Sequence, residues 1–355
     1  MTGALVMSAS RFNRVSASAS ACAGDNARPA SQAAANAADQ NNWIIYLQAG
    51  GSCGDGESCL DRWSSNASPY GIQKMSTSVP QATWATWHPA MPGPGGWTLQ
   101  NVGVVSFYQI PESIAGRGIF SPQPANPFGN WNKVFAYYCS SDQWLGQVSD
   151  RAVSTASSGG YTMHFRGATI FDTIIATLRN GALTYPCGME ECAMPDLDNA
   201  EMVLLAGSSA GANGVKHHLD KLRTDLHAVS TEMEVRGVID ATGSPFAASL
   251  PWRPTGLPAI GYEQYFQQQW TDVYQNAWAA RIDASCLSEN PPEVHYRCAD
   301  PVHLLRHHVT SPFFHRMDLQ DSNGIDNYRD SFYSDTFGYP LNFAESRYAR
   351  DIASQ

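Results

Sequence analysis

The chemistry in this 355-residue chain is densest at Gly207-Ser208-Ser209-Ala210-Gly211, a G-x-S-x-G run between the apolar stretch MVLLAG at 202–207 and a helical pattern that begins near 211. Small residues on both sides of Ser209 permit a tight strand-to-helix turn. Such a turn raises the hydroxyl above a sheet, near a helix N-terminus, with room for a reacting partner. In that context a serine acts as a nucleophile; without it, the glycines would serve only close helix packing. Attack on a carbonyl also needs donors for the oxyanion, and the apolar run WIIYLQ at 43–48 leads into Ala49-Gly50-Gly51-Ser52-Cys53. The N–H groups of Gly50 and Gly51, with that of Ala210 after the serine, would form such a hole, where the loss of one donor costs about 3 kcal/mol. Taken alone, 49–53 also fits an ordinary glycine turn after a strand.

These turns have to be positioned by a sheet. Apolar runs at 43–48, 102–108 (VGVVSFY), 133–138 (KVFAYY), 202–207, 235–240 (VRGVID) and 312–317 (PFFHRM) are too short for most helices and read as buried strands. Helical patterns lie between them at 167–179, 211–223, 263–281 and 301–308. The alternation predicts an α/β fold, a mostly parallel sheet flanked by helices, as a single domain over 42–355 with loop insertions at 50–100 and 182–200. Neither an internal repeat nor a linker divides it. Residues 1–41, rich in Ala, Ser and Asn, read as a poorly ordered lead-in.

Composition narrows the partners. With 43% hydrophobic and 15% charged residues, the chain is neither disordered nor a coiled coil, and 29 glycines with 21 prolines suit sculpted loops. A formal net charge of −10 argues against nucleic acid or an anionic membrane surface and leaves small-molecule or carbohydrate substrates open. No stretch reaches the roughly 18 apolar residues of a membrane span. The eight cysteines, at 22, 53, 59, 139, 187, 192, 286 and 298, include no C-x-x-C pair. Disulfides and an oxidising compartment, secreted or periplasmic, are therefore expected over a structural metal. The N-terminus offers no convincing signal peptide, because its apolar run at 3–7 is short and an arginine follows it.

Four segments in order, WIIYLQAGGSCGDGESCLDRW (43–63), NWNKVFAYYCSSDQWLG (130–146), HFRGATIF (164–171) and GSSAGANGVKHHLDKL (207–222), resemble the pectin acetylesterase and Notum family of serine carboxylesterases. The likeness runs from about Cys22 to about Asp321. Where the family has three glycines after its first strand, this chain has Ala49-Gly50-Gly51; alanine also carries an N–H, so the hole is retained at a less permissive position. The resemblance implies an α/β-hydrolase-like fold, a Ser-Asp-His triad, no cofactor, and hydrolysis of an ester whose acyl group enters a pocket beside the serine. It puts Trp144 at the rim of that pocket as a substrate contact. It also implies disulfides Cys22–Cys139, Cys53–Cys59, Cys187–Cys192 and Cys286–Cys298.

For the triad acid the resemblance points to Asp321, in SPFFHRMDLQDSNG at 311–324, rather than Asp318. A carboxylate past the end of a parallel strand faces the same rim as Ser209 and can hold an imidazole in its working tautomer. The plainer alternative is a polar turn at 321–324. The order Ser, Asp, His then requires a histidine after Asp321, but residues 322–355 contain none, and His315 is the last of ten. In the family that histidine lies tens of residues beyond the acid, so the chain is expected to be incomplete at its C-terminus. Asp240 with a histidine from 303–308 keeps the triad order as an internal substitute, although a structural turn suits Asp240 better.

His303 and His307 have the i, i+4 spacing of zinc ligands without a third ligand nearby, so no metal is assigned. His217 and His218 read as core or surface positions of a helix. Trp84, Trp87 and Trp97 either stack on sugar rings or pack their loops. The expectation is a serine carboxylic ester hydrolase that removes acetyl or another acyl group from a carbohydrate or related ester. Its rival is an impaired or truncated relative that serves as a binding scaffold.

Overall fold

In the computed structural model, residues 30–32, 41–64, 118–121, 123, 125–155, 159–180, 184–187, 190–193, 195–242 and 267–317 are described. Their strands in chain order are β1 (Ala30–Gln32), β2 (Asn42–Leu47), β3 (Asn132–Ala136), β4 (Val148–Thr155), β5 (Gly159–Phe165), β6 (Thr184–Cys187), β7 (Glu190–Ala193), β8 (Met202–Ser208), β9 (Glu234–Asp240) and β10 (Phe313–Arg316). Six of them form one sheet in the order β1-β3-β2-β8-β9-β10, while β4-β5 and β6-β7 are separate antiparallel hairpins. Every neighbouring pair from β3 to β10 is parallel; only β1 runs antiparallel, against β3. The fold is thus α/β with a mostly parallel central sheet, as the alternation of runs predicts.

Burial explains why the central strands read as continuous apolar runs. Trp43, Ile45 and Leu47 of β2 join Val203 and Leu205 of β8 in the main core, whereas Ile44 and Leu204 pack with Trp131 in a second cluster. Both sheet faces are therefore covered at these strands. Among the described residues three longer helices accompany the sheet: α1 (Gly56–Ser64), α2 (Gly167–Arg179) and α3 (Ala210–His227). On α2, Ile170, Phe171, Ile174, Ile175 and Leu178 recur at helical spacing, and on α3, Val215, Leu219, Leu222 and Leu226 do the same. Both stripes enter the main core. A C-terminal lobe follows, built from a wide-wound π-helical stretch (Trp270–Ala277), α4 (Ala284–Glu289), a 3-10 turn (Pro292–Ala299) and α5 (Pro301–His307).

Several local readings change. Within the expected lead-in, Ala30–Gln32 forms an edge strand; three small or polar residues held by backbone pairing carry no hydrophobic pattern. The expected insertion at 50–100 contains α1, whose start is capped where the Asp55 carboxylate accepts from the Ser58 N–H at 2.9 Å. The 182–200 insertion contains the β6-β7 hairpin. Of the helix expected at 263–281, residues 263–266 lie outside the described residues, and the described part is wide-wound over Trp270–Ala277, stacking Trp270 on Tyr274 at 5.6 Å. Disulfides Cys53–Cys59 and Cys286–Cys298 are formed as the resemblance implies. Cys139 is disulfide-bonded as well, while Cys22 and the 102–108 run lie outside the described residues, as do the side chains of Cys187 and Cys192. No helix among the described residues is long and apolar enough to cross a membrane.

Candidate active site

The strand order reverses between β2 and β8: β3 lies to one side of this pair, β9 and β10 to the other. In open parallel sheets the loops at the carboxyl ends part at such a point and leave a crevice for ligands. Leu47 pairs with Gly207 at that edge, so the segments 49–51 and 209–211 leave the sheet side by side.

Ser209 is exposed and sits at φ 53°, ψ −117°, a conformation that non-glycine residues rarely adopt. Two backbone bonds hold it there: its N–H donates to the Asp240 carbonyl at 2.9 Å, and its carbonyl accepts from the Asn213 N–H at 3.1 Å. The flanking glycines are sterically required. A Cβ on Gly207 would meet the Gly211 backbone at 2.5 Å, and one on Gly211 would meet the Leu47 carbonyl oxygen at 2.0 Å. The N-terminus of α3 therefore seats directly on the end of β2, with its first N–H groups free of intrahelical partners. Ala210 opens that helix and is buried.

The facing turn is sewn down from below. Gln48 is buried; its side-chain oxygen accepts from the Tyr138 N–H at 2.9 Å, and its carbonyl accepts from the Trp144 indole at 3.0 Å. Beyond it, Gly50 and Gly51 adopt φ of 151° and 67°, and a Cβ on Gly50 would press on the Tyr138 ring at 3.2 Å. Only glycine suits both demands. Trp144 has no exposed surface and stacks on Tyr138 at 5.4 Å, so it supports the turn from within the protein.

Trp144 belongs to a strained loop in which Ser141, Gln143 and Trp144 all have positive φ. Asp142, fully buried, organises that loop. Its carboxylate accepts from Ser140 Oγ at 2.5 Å and from the N–H groups of Gly167 at 2.7 Å and of Trp144 and Gly146 at 3.1 Å. Burial pushes its pKa up against the pull of these donors. Gln143 ties the loop to the turn: its amide donates to Ser52 Oγ at 3.1 Å and accepts from the Tyr274 hydroxyl at 3.1 Å. Sequence reasoning missed Gln48, Tyr138, Asp142 and Gln143 as supports; the CSSDQWLG segment hinted at Asp142 and Gln143 alone.

The remaining candidates separate clearly. Ser140 and Ser141 are buried, their hydroxyls engaged by Asp142 and by the Arg62 guanidinium. The Asp240 carboxylate pairs with Arg316 at 2.7 Å, and His303, His307 and His308 pack against one another, so the internal substitute is not assembled. His217 and His218 are both core residues. Asp321 and the tryptophans at 84, 87 and 97 lie outside the described residues.

Residues 100–340 match the model of the pectinacetylesterase family. Among curated proteins, the chain is 30% identical over 202 residues to palmitoleoyl-protein carboxylesterase notum2 of Xenopus laevis, covering 56% of this chain and 30% of that protein. It is 28% identical over 259 residues to palmitoleoyl-protein carboxylesterase NOTUM of Drosophila melanogaster, covering 72% and 30%. Against pectin acetylesterase 11 of Arabidopsis thaliana it is 23% identical over 257 residues, covering 72% and 48%. The matches thus span less than half the length of these relatives. Among solved structures, the Wnt deacylase Notum from Drosophila superposes with a TM-score of 0.56 at 22% identity, covering 99% of this chain and 79% of that one, which supports the fold.

Proposed function

Because the chain belongs to the pectinacetylesterase family, we propose that it is a carboxylic ester hydrolase that removes an acyl group from a carbohydrate or related ester through an acyl-enzyme on Ser209. The observation that carries this reading is the exposed Ser209 at φ 53°, ψ −117°, beside a turn whose glycines both have positive φ. Ser209 Oγ attacks the acyl carbonyl and its proton passes to a base that Asp321 orients. Charge develops on the carbonyl oxygen, which accepts from the N–H groups of Gly50, Gly51 and Ala210. Donors fixed in advance stabilise that charge without reorganising. Departure of the alcohol leaves an ester on Ser209, and water then releases the acid. Residues 322–355 hold no histidine, so the base is not assigned to a residue of this chain.

In this reading Trp144 acts on the pocket through Gln48, whose carbonyl it holds. Relatives named as carboxylesterases and as a pectin acetylesterase favour an enzyme over a binding scaffold. Disulfides Cys53–Cys59 and Cys286–Cys298 support an oxidising compartment and export.

The test combines hydrolysis of p-nitrophenyl acetate with mass-spectrometric mapping of a fluorophosphonate adduct. The adduct is expected on Ser209, and in a protein that includes the triad histidine Ser209→Ala is expected to lower hydrolysis by about 10⁴-fold or more. Equal turnover by parent and variant would overturn the assignment.

A further inference from the structure

A second cluster of chemistry-bearing side chains stands in the C-terminal lobe, where α4, the 3-10 turn and α5 fold on one another. His308, 3% exposed, brings its Nε2 to 3.2 Å from Nε2 of His303. At that separation the two nitrogens are within reach of a single shared hydrogen bond. The same separation is close to the edge, about 3.3 Å, of a tetrahedron of nitrogens around Zn²⁺ at bond lengths of about 2.0–2.1 Å.

The far side of His308 is prepared for this. Its Nδ1 lies 3.2 Å from Ser285 Oγ and 3.7 Å from the Glu289 carboxylate. Ser285 gives its own proton to Asp283 at 2.7 Å, so its oxygen is left to accept from Nδ1–H. That fixes the tautomer and turns a bare Nε2 toward the cluster, as outer carboxylates do for metal-bound histidines. The third ligand comes from elsewhere in the chain: single ligand atoms of Cys286, His303 and His308 all lie within 4.8 Å of one another.

In the oxidised chain Cys286 is bonded to Cys298, and a disulfide sulfur has no thiolate charge to give a metal. The cluster is complete for a cation only while that bond is open. We propose that, before the Cys286–Cys298 bridge forms, the Cys286 thiolate, His303 and His308 bind a divalent cation of the zinc class, and that closing the bridge expels it.

On binding, the Cys286 thiol releases its proton to solvent as the sulfur–metal bond forms. On closure, that sulfur leaves the metal and bonds to Cys298. A small-molecule disulfide such as oxidised glutathione takes up the two electrons and departs as two thiols, with one proton from Cys298 and one from solvent. The cation holds α4 against α5 before the covalent staple exists and keeps Cys286 from pairing elsewhere.

Cys298→Ser leaves Cys286 a free thiol and gives the direct test by titration with Co²⁺. One equivalent is expected to bind with a thiolate-to-cobalt charge-transfer band, to be displaced by Zn²⁺, and to bind at least about tenfold more weakly when His303→Ala or His308→Ala is added. The oxidised parent is expected to show no such band. Absence of the band in Cys298→Ser, or equal cobalt affinity in the oxidised parent, would overturn the proposal. Should Cys298→Ser fail to fold, the reduced parent is refolded in oxidised glutathione with and without Zn²⁺, and closure is followed by alkylation and mass spectrometry. Zinc is expected to slow the Cys286–Cys298 bridge in the parent and not in a chain carrying His303→Ala and His308→Ala. Equal effects of zinc on both chains would also overturn it.

Discussion

A side chain at position 211 has no space to occupy, because its Cβ would stand 2.0 Å from the Leu47 carbonyl oxygen. Relief requires α3 to lift from β2, and that movement separates Ser209 from the turn at 49–51. Gly211→Ala is therefore expected to cost about 1–3 kcal/mol of stability, the usual penalty for overpacking, and to lower esterase activity by more than the loss of folded protein explains. Denaturant melts and turnover of p-nitrophenyl acetate, measured on the same preparation, check both parts. Undiminished activity per folded molecule would separate the glycine from the site. Ser209 itself carries backbone strain that the bonds to Asp240 and Asn213 hold in place, as is common where a nucleophile must project.

At the scale of elements, the site depends on how the turn after β2 is anchored. Cys53 is fixed three ways: its N–H donates to the Ser141 carbonyl at 2.9 Å, its carbonyl accepts from the Trp278 indole at 2.8 Å, and its sulfur is bonded to Cys59 on α1. The disulfide closes a loop with a sequence separation of 6, for which chain entropy gives a stabilisation of about 2 kcal/mol. A chain with Cys53→Ser and Cys59→Ser is expected to lose about that much in equilibrium unfolding. A loss near zero would mean that the two hydrogen bonds at Cys53 hold the turn without the cross-link.

At the scale of the whole molecule, α3 carries three titratable groups into the core: Lys216, His217 and His218. His218 donates from Nε2 to the Trp144 carbonyl at 2.7 Å and stacks on Phe171 at 4.5 Å, and burial lowers its pKa from 6.5 to about 4. Burial also holds His217 far down and brings Lys216 from 10.5 to about 7, with Asp300 opposing the Lys216 shift. The fold refuses protons that the unfolded chain accepts, so stability falls as pH falls. The window runs from 10.5 to about 7 for Lys216 and from 6.5 to about 4 for His218. Full passage through the second window costs about 3 kcal/mol from His218. Unfolding free energies between pH 7 and 4 are expected to show this decline, with a shallower slope in His218→Gln. An unchanged slope would show that His218 is not the group responsible.

Much of this was written locally. The runs at 43–48 and 202–207, the helices over 167–179 and 211–223, and the turn around Ser209 follow from periodicity and small residues acting over a few positions, so the chain itself determines them. What the tertiary structure alone decided is which distant residues meet. Leu47 faces Gly207 across the sheet, Gln48 reaches Tyr138 and Trp144 from 90 and 96 residues away, and Trp144, expected at a pocket rim, lies buried beneath the turn. The pairing of His303 with His308 beside Cys286, instead of with His307 alone, is of the same kind. Strand order and burial create those contacts, and neither leaves a repeating mark along a single stretch of chain.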